Sequence, residues 1–547
     1  MSQRGTTQVE ILTVIGFCAF LFFFGLSAFG LLGADEPRYA QIAREMLARH
    51  DLVTPTLYGK AWLEKPPLYY WQAMKAYWAL GVSDWAARLP SATAASFMVF
   101  VAYFFLRRFR PGAQLNGALM TAASAGVIGF ARGASTDMLL TSAFVAGMLG
   151  WFGWYAGGRR LWLLVFYLFM ALGALAKGPV APLLAGLIIA IFALAQRDAR
   201  LIARTLWVPG ILLFFAVSVP WYAAVQLQNP QFVREFIIEH NLGRFATNLY
   251  HHRQPFWYFV PALLLCVMPW TALVIAGWVE TIKHWQEPAA TRAAALPKLL
   301  LIWIAVIVVF FSISASKLPG YILPAVPACT LLAADWASRR EKLGWAVLIT
   351  QGVLSAALLA SARLYWSWVV YQHVPGEERR LAFAIAAVVF LATVSMLSRK
   401  GLPALRLVVL TPVIIGLAFL LRAGAPPPNH FSDVFWGNGG LLDNALSARP
   451  VAAAITQMEN RPVEVAIFKA TRETEFGLAF YRNQPIPRDE PGKVLAQDHL
   501  VVVPEAYANE FVRAVSPRRA SRLSEFAPQH LEFYWVSTPP PMTMDHR

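Results

Sequence analysis

The sequence is poor in charge, because only 14% of its 547 residues are Asp, Glu, Lys or Arg, whereas 57% are hydrophobic. A soluble domain has about 25% charged residues, so this chain lacks the polar side chains to cover several soluble domains. It also has only three cysteines, Cys18, Cys266 and Cys329, each in or at a hydrophobic run. They form neither a disulfide framework nor a metal-ligand set of familiar spacing. We therefore expect a membrane protein whose cysteines pack between helices.

The hydrophobic residues occur in long runs separated by clusters of charge. Thirteen runs lie at 11–34, 89–106, 111–131, 138–158, 161–176, 178–196, 205–233, 254–279, 299–316, 318–334, 343–362, 381–398 and 401–421. Each approaches the ~20 residues with which an α-helix crosses ~30 Å of hydrocarbon, whereas barrel strands alternate over about ten residues. The first run exceeds the about 7–15 apolar residues of a signal peptide, so we interpret it as an uncleaved helix. The pattern predicts a polytopic α-helical membrane protein with about thirteen spans.

Basic residues are concentrated in alternate connections, which is typical of the cytoplasmic side of a membrane protein. The six basic connections contain Arg107/Arg108/Arg110, Arg159/Arg160, Arg197/Arg200/Arg204, Lys283/Arg292/Lys298, Arg339/Arg340/Lys342 and Arg399/Lys400. The short turns between them carry a single base each, at Arg132, Lys177 and Lys317. The net charge of +16 follows from this bias and favours contact with anionic membrane lipids. No soluble segment shows a basic stripe with interleaved aromatic residues, so we do not expect nucleic acid as a partner.

Two domains are predicted, a membrane domain at 1–425 and a small extracytoplasmic α/β domain at 426–547, because charge becomes frequent after three consecutive prolines. The membrane domain has two long extracytoplasmic loops, at about 35–88 and 226–256. The first opens with an amphipathic helix that begins at Asp35, with an acid and a proline in its first turn. In the C-terminal domain, the patterns predict strands at 463–469, 476–482 and 500–503 and helices at 448–459 and 505–515. We expect this domain to support or cover the membrane site.

Isolated charges on the outer side predict a polar cavity at the membrane surface, since ionisable groups at helix ends are costly unless paired or hydrated. They comprise the acids Asp35, Glu36 and Asp137 and the bases Lys65, Lys177, Lys317 and Arg253. The three lysines stand on turns that contain proline, which suits binding of a phosphate at a fixed position. The alternatives are a helix cap for Asp137 and lysines that reach the interface without a ligand.

A metal site is a further hypothesis. Glu64 with His251 or His252 would supply the carboxylate and imidazole that zinc prefers. No H-E-x-x-H motif or comparable spacing exists, so interfacial histidines without a metal remain the alternative.

Three segments carry a family resemblance: Asp35-Glu36-Pro37-Arg38-Tyr39-Ala40, Glu64-Lys65-Pro66-Pro67 and Ser316-Lys317-Leu318-Pro319. With them, the whole chain resembles the bacterial aminoarabinose transferases. These belong to a membrane glycosyltransferase superfamily that includes protein O-mannosyltransferases and oligosaccharyltransferases. The acidic dipeptide indicates only the superfamily, whereas the Glu-Lys-Pro-Pro segment points to lipid A modification.

The resemblance implies an inverting transferase that moves 4-amino-4-deoxy-L-arabinose from undecaprenyl phosphate to a lipid A phosphate. It places the active site on the periplasmic face of a bacterial inner membrane, and it implies resistance to polymyxin and cationic peptides. No nucleotide cofactor is needed. The resemblance implies that Asp35 is the principal catalytic acid and that Asp137 assists it. It also implies that the lipid phosphate is bound by Lys65, Arg253 and Tyr321. Glu64 and His251 would hold zinc. Lys317 is grouped with the phosphate-binding residues.

Two other functions compete with this expectation. A transferase of the same fold would move a different polyprenyl-linked sugar to a protein hydroxyl or to another lipid. A lipid or drug transporter would also have many helices with charges, but transporters normally show internal repeats and interrupted helices at mid-membrane. Here the isolated charges collect on one outer face, beside two long loops.

Overall fold

The computed structural model describes residues 3–243, 254–371, 374–400, 440–490 and 494–538. These residues divide into two compact units that alternate along the chain. The helical unit comprises the described residues of Met1–Leu26, Glu45–Thr56 and Ala61–Leu420, and the α/β unit those of Ser27–Arg44, Leu57–Lys60 and Leu421–Arg547. The segment Ser27–Arg44, which contains Asp35, is thus part of the α/β unit.

The helical unit is built from apolar helices joined by short turns. Its α-helices are Gln3–Cys18, Leu68–Leu80, Asp84–Phe109, Gln114–Ala122, Ala125–Ala131, Thr136–Gly157, Leu161–Lys177, Val180–Ala195, Arg200–Thr205, Val208–Gln228, Phe259–Cys266, Thr271–Lys283, Leu296–Ile313, Val326–Ser338, Trp345–Tyr371 and Gly376–Lys400. Shorter helical turns of other types are Ala19–Phe23, Arg234–Gly243, Phe256–Tyr258, Ala293–Ala295 and Pro319–Ala325. In the described part of the chain, six helices are long and apolar enough to cross a membrane, or seven if one bent pair is a single span. The expected class, a polytopic helical membrane protein, is confirmed.

Several predicted spans differ from single straight helices. Run 111–131 forms two short helices, because Ser124 between them is extended and the Ala125 N–H donates to the Met268 carbonyl instead. Run 254–279 forms Phe256–Cys266 and Thr271–Lys283, which meet at 117° across a break that contains Pro269. Proline has no N–H to donate and ends a helix. The last run, 401–421, lies outside the described residues.

Two buried arginines hold the end of the first membrane helix. The helix unwinds beyond Phe23, because Phe24 is extended. The last carbonyl groups of a helix take partners from outside it. Arg132 donates to the Phe24 and Gly25 carbonyls at 2.8 and 2.7 Å, and Arg88 donates to the Leu26 carbonyl at 2.8 Å. Arg132, expected only as a lone base in a turn, therefore has a structural role.

The two long loops contain secondary structure of their own. The predicted amphipathic helix is confirmed as Asp35–Ala48, and two short strands follow at Thr56–Leu57 and Lys60–Ala61. Phe232 and Phe236 of the second loop pack in one buried cluster with Leu63 of the first. Within the helical unit, the two loops therefore meet around aromatic side chains.

The α/β unit contains a four-stranded sheet between two hydrophobic clusters. Its strands are Val465–Ile467, His499–Pro504, Leu531–Ser537 and Arg519–Phe526 in spatial order; the first pair is parallel and the other two pairs are antiparallel. Its helices from residue 440 onward are Leu441–Leu446, Arg449–Met458, Arg472–Arg482 and Ala508–Ala514, with turns at Glu505–Tyr507 and Ala527–Gln529.

The strand predicted at 476–482 is wrong, because these residues belong to the helix Arg472–Arg482. Thr471 caps that helix by accepting from the Thr474 N–H, and Glu473 and Glu475 lie in its first turn. Acids in the first turn favour the helix through its dipole. The other predicted elements at 448–459, 463–469, 500–503 and 505–515 correspond to observed helices and strands.

Candidate functional site

Asp137 stands at the start of a membrane helix, in a local structure set by serine. Ser135 is extended and caps the helix Thr136–Gly157: its hydroxyl accepts from the Asp137 N–H at 3.0 Å. The same hydroxyl lies 3.1 Å from the Asp137 carboxylate, to which it donates. Ser91 of the neighbouring helix donates to the Ser135 carbonyl at 3.2 Å and fixes the cap. The helix-cap interpretation of Asp137 is therefore incomplete, since serine is the cap and the carboxylate has another partner.

That partner is Lys177, the last residue of the helix Leu161–Lys177, whose ammonium forms an ion pair with the Asp137 carboxylate. Their side chains are only 16% and 18% exposed, respectively. An acid at a helix N-terminus and a base at a helix C-terminus are both stabilised by the helix dipoles. The pair is therefore favoured by its Coulomb attraction and by the ends of two helices.

Tyr321 and Gly320 complete the surroundings of the pair. The Lys177 Nζ lies 4.9 Å from the centre of the Tyr321 ring, a cation–π distance. Gly320 packs so closely on the carboxylate that a Cβ there would lie 3.0 Å from the Asp137 Cγ and Oδ1. The turn Pro319–Ala325 thus brings both an aromatic ring and a bare backbone to the ion pair.

The other two lysines of the predicted cavity are buried. Lys65, 9% exposed, is close enough to Asp137 for its charge to act on that carboxylate. Lys317, 7% exposed, donates to the Ser314 carbonyl at 2.6 Å within its own turn. The structure therefore brings Lys65, Lys177 and Tyr321 to Asp137, and it gives Lys317 a backbone partner.

Asp35 lies in the α/β unit, at the first position of the helix Asp35–Ala48. Its Oδ1 accepts from the Arg38 Nη2 at 2.6 Å, and its side chain is 60% exposed. A guanidinium one turn along the helix fixes the carboxylate while leaving it open to a ligand.

The remaining predicted ligands are only partly described. Arg253 and His251 lie outside the described residues, as does His252. Glu64 is half-buried. Within the ranges that the structure describes, no group of three or more His, Cys, Asp or Glu could hold a metal ion. Of the proposed zinc ligands, the structure therefore describes Glu64 alone, and both candidate histidines, His251 and His252, lie outside these ranges.

Sequence reasoning missed two features of the site, the pairing of Lys177 with Asp137 and the role of Gly320. The first had a signal in the sequence. Only the short connection at 158–160 separates the helix that begins near Asp137 from the helix that ends at Lys177, so the two residues lie at the same end of a helical hairpin. The close approach of Gly320 had no signal.

Comparisons with known proteins place the chain among membrane glycosyltransferases. Residues 9–234 match the family model for dolichyl-phosphate-mannose-protein mannosyltransferases. An undecaprenyl phosphate-alpha-4-amino-4-deoxy-L-arabinose arabinosyl transferase of Pseudomonas aeruginosa (strain UCBPP-PA14) is 29% identical over 505 residues, 88% of each chain. A relative of the same name from Pseudomonas paraeruginosa is 30% identical over 374 residues, 66% of this chain and 67% of the relative.

A solved structure has the same fold. The crystal structure of ArnT from Cupriavidus metallidurans bound to undecaprenyl phosphate superimposes with a TM-score of 0.76 and 24% identity. The match covers 98% of this chain and 100% of that chain. The apo structure of the same protein gives a TM-score of 0.74.

Proposed function

The chain belongs to the family of undecaprenyl phosphate-alpha-4-amino-4-deoxy-L-arabinose arabinosyl transferases. We propose that its residues perform the family's reaction as follows. It is a multi-pass membrane glycosyltransferase that uses a polyprenyl-phosphate-linked sugar. It moves 4-amino-4-deoxy-L-arabinose from undecaprenyl phosphate to a phosphate of lipid A. The observation that carries the residue assignments is the nearly buried Asp137–Lys177 pair, with Lys65 and Tyr321 beside it.

The lysines stabilise the departing phosphate. Cleavage of the bond between sugar and phosphate leaves undecaprenyl phosphate with growing negative charge, which cations already in place stabilise more in the transition state than in the ground state. The charges of Lys65 and Lys177 both act on Asp137, which holds Lys177 in place. The positive charges of Arg253 and Lys317 also attract the lipid phosphate. Tyr321 contacts this phosphate as well.

Asp35 acts on the sugar or the acceptor. A lipid A phosphate is already ionised near neutral pH, so the acceptor needs no general base. The Asp35 carboxylate instead orients the acceptor or the sugar's amine, or stabilises positive charge at the anomeric carbon, and the anomeric configuration inverts. Its exposure and its contact with Arg38 support this role, because the carboxylate is held in one place and is open to a ligand.

We also propose a membrane topology and an orientation for the chain. The chain crosses a bacterial inner membrane thirteen times, once for each hydrophobic run of its sequence. The isolated charges and the α/β unit face the periplasm, and the basic connections meet anionic lipids on the cytoplasmic side. Glu64 and His251 would hold a zinc ion, and no step of the transfer is assigned to it. Masking of lipid A phosphates lowers the affinity of polymyxin and other cationic peptides for the cell surface.

The test is a reconstituted transfer. Purified protein is incubated with lipid A and with undecaprenyl phosphate that carries aminoarabinose or another defined sugar, and the mass of lipid A is followed. An aminoarabinose adduct that forms in wild type and far more slowly, at a residual rate, in Asp35→Asn supports the proposal. Transfer of a different sugar, with no aminoarabinose adduct, would favour the related transferase with another donor. Full activity of a folded Asp35→Asn enzyme would exclude the role of Asp35.

A further inference from the structure

The segment that precedes Asp35 is bound by a buried ion pair of the C-terminal residues, within one compact unit. Asp443 is fully buried, and its Oδ1 accepts from the Gly30 N–H at 2.7 Å. Its Oδ2 accepts from the Arg449 Nε at 2.7 Å and pairs with the Arg449 Nη2 at 2.6 Å. Every oxygen of a buried carboxylate needs such partners, because an unsatisfied one costs the full desolvation penalty of the charge.

The same group of residues binds the backbone on both sides of Gly30. The Arg449 Nη1 donates to the Ser27 carbonyl at 3.3 Å, and the Tyr481 hydroxyl accepts from the Leu31 N–H at 2.7 Å. Gly30 is also required by space, since a Cβ there would overlap the Ser447 hydroxyl and lie 2.5 Å from the Tyr481 hydroxyl. The path of the chain toward Asp35 is therefore fixed by side chains that follow it by more than 400 residues in sequence.

The chain beyond Asp35 is held by the helix that carries Tyr481. Arg38, which binds the Asp35 carboxylate, places its guanidinium 5.6 Å from the centre of the Phe476 ring. Arg44 donates to the Phe480 carbonyl at 3.0 Å. The helix Arg472–Arg482 thus contacts the chain both before and after Asp35.

We propose that Asp443, Arg449 and Tyr481 are positioning residues for the transfer reaction, which hold the Asp35 carboxylate at its working position. The inference depends on the proposed function, in which Asp35 contacts the sugar or the acceptor. Binding of undecaprenyl phosphate is assigned to residues of the helical unit, so loss of positioning affects turnover and leaves the donor KM unchanged. A displacement of about 1 Å at a catalytic group can reduce turnover about 100-fold.

The test compares two tyrosine-to-phenylalanine variants of the 547-residue chain, each of which removes one hydroxyl oxygen. Tyr481→Phe removes the acceptor of the Leu31 N–H. Tyr534→Phe is the matched control, because Tyr534 is buried in the same unit and its hydroxyl donates to Glu532 at 2.6 Å. We expect kcat to fall at least about tenfold in Tyr481→Phe, with the donor KM within about twofold of wild type, and to stay at the wild-type value in Tyr534→Phe. Equal kcat in the two variants would overturn the inference.

Two further variants separate positioning from general stability. Asp443→Ala and Asp443→Asn should have different turnover, since asparagine retains an oxygen for the Gly30 N–H and restores part of kcat. Asp489→Asn disrupts another buried pair of the unit, in which the Asp489 Oδ2 lies 2.8 Å from the His499 Nε2. It should lower the unfolding temperature without the same loss of kcat. If Asp489→Asn reduces kcat as much as Asp443→Asn, the effect is one of stability and the inference fails.

A double variant distinguishes this inference from the proposed function itself. If Tyr481 acts through Asp35, then Asp35→Asn/Tyr481→Phe is no slower than Asp35→Asn alone. Independent, multiplicative losses would overturn the inference and leave the role of Asp35 intact. A fully active Asp35→Asn enzyme would overturn both.

Discussion

The Asp137 carboxylate and the Lys177 ammonium form an ion pair at the same end of a helical hairpin, the acid at the start of one helix and the base at the end of the next. Both side chains are nearly buried, so neither is fully hydrated. A charge in such a place is costly unless its partner is present. Replacing one member of the pair should therefore lower the free energy of unfolding more than replacing both.

We expect Asp137→Asn and Lys177→Met each to lower the free energy of unfolding by about 3 kcal/mol, because each leaves one poorly hydrated charge without its partner. The double variant should recover much of that loss, since it removes both charges. Thermal unfolding in detergent measures all four proteins of the cycle. Strictly additive losses would show that the two groups are not coupled. Activity should stay low in the double variant, because the lysine assigned to the donor phosphate is absent.

A metal assay tests the zinc proposal independently of activity. We expect Glu64→Gln to lower the zinc content per chain relative to wild type, since a carboxamide is a poorer zinc ligand than a carboxylate. Elemental analysis of protein purified without chelators measures this content. Parallel His251→Gln and His252→Gln variants identify the histidine ligand. Wild-type zinc in all three variants, or no zinc in the wild-type protein, would rule out this site.

The membrane fold could be predicted because long uncharged runs between clusters of charge are a strong signal of membrane-spanning helices. The elements of the α/β unit were harder. Residues 476–482 form a short apolar run that resembles a strand, yet Glu473 and Glu475 just before it are typical of a helix start. The strand Arg519–Phe526 was missed because most of its side chains are exposed, so it lacks a buried face with a hydrophobic pattern.

The site could be predicted in its residue types more than in its contacts. The sequence indicated Asp137 and Lys177 as isolated outer charges, and the structure adds their contact, with the Lys177 Nζ 4.9 Å from the centre of the Tyr321 ring. The contacts of Asp443 with Gly30 had no signal in the sequence. They join residues 413 positions apart, and only tertiary packing brings these together.

Arg132 should be important for stability, because its buried guanidinium donates to the Phe24 and Gly25 carbonyls at the end of the first helix. We expect Arg132→Gln to lower the free energy of unfolding by at least about 2 kcal/mol, since each unsatisfied buried group costs about 1–3 kcal/mol. The measurement is the unfolding temperature in detergent. Arg159→Gln is the control, since Arg159 is exposed in a short turn, and its unfolding temperature should match wild type. Equal stability of the two variants would contradict the capping role.

Gly320 offers a steric test of the ion pair that adds no charge and removes none. In Gly320→Ala, the new Cβ would lie 3.0 Å from the Asp137 carboxylate and 3.0 Å from the Phe130 ring, so its surroundings must shift. A shift of the carboxylate would change its contact with Lys177, and we therefore expect turnover to fall at least about tenfold. Gly129→Ala is the matched control, since a Cβ there meets nothing within 4 Å. Its turnover should equal wild type; an equally active Gly320→Ala would mean that the carboxylate position is not critical.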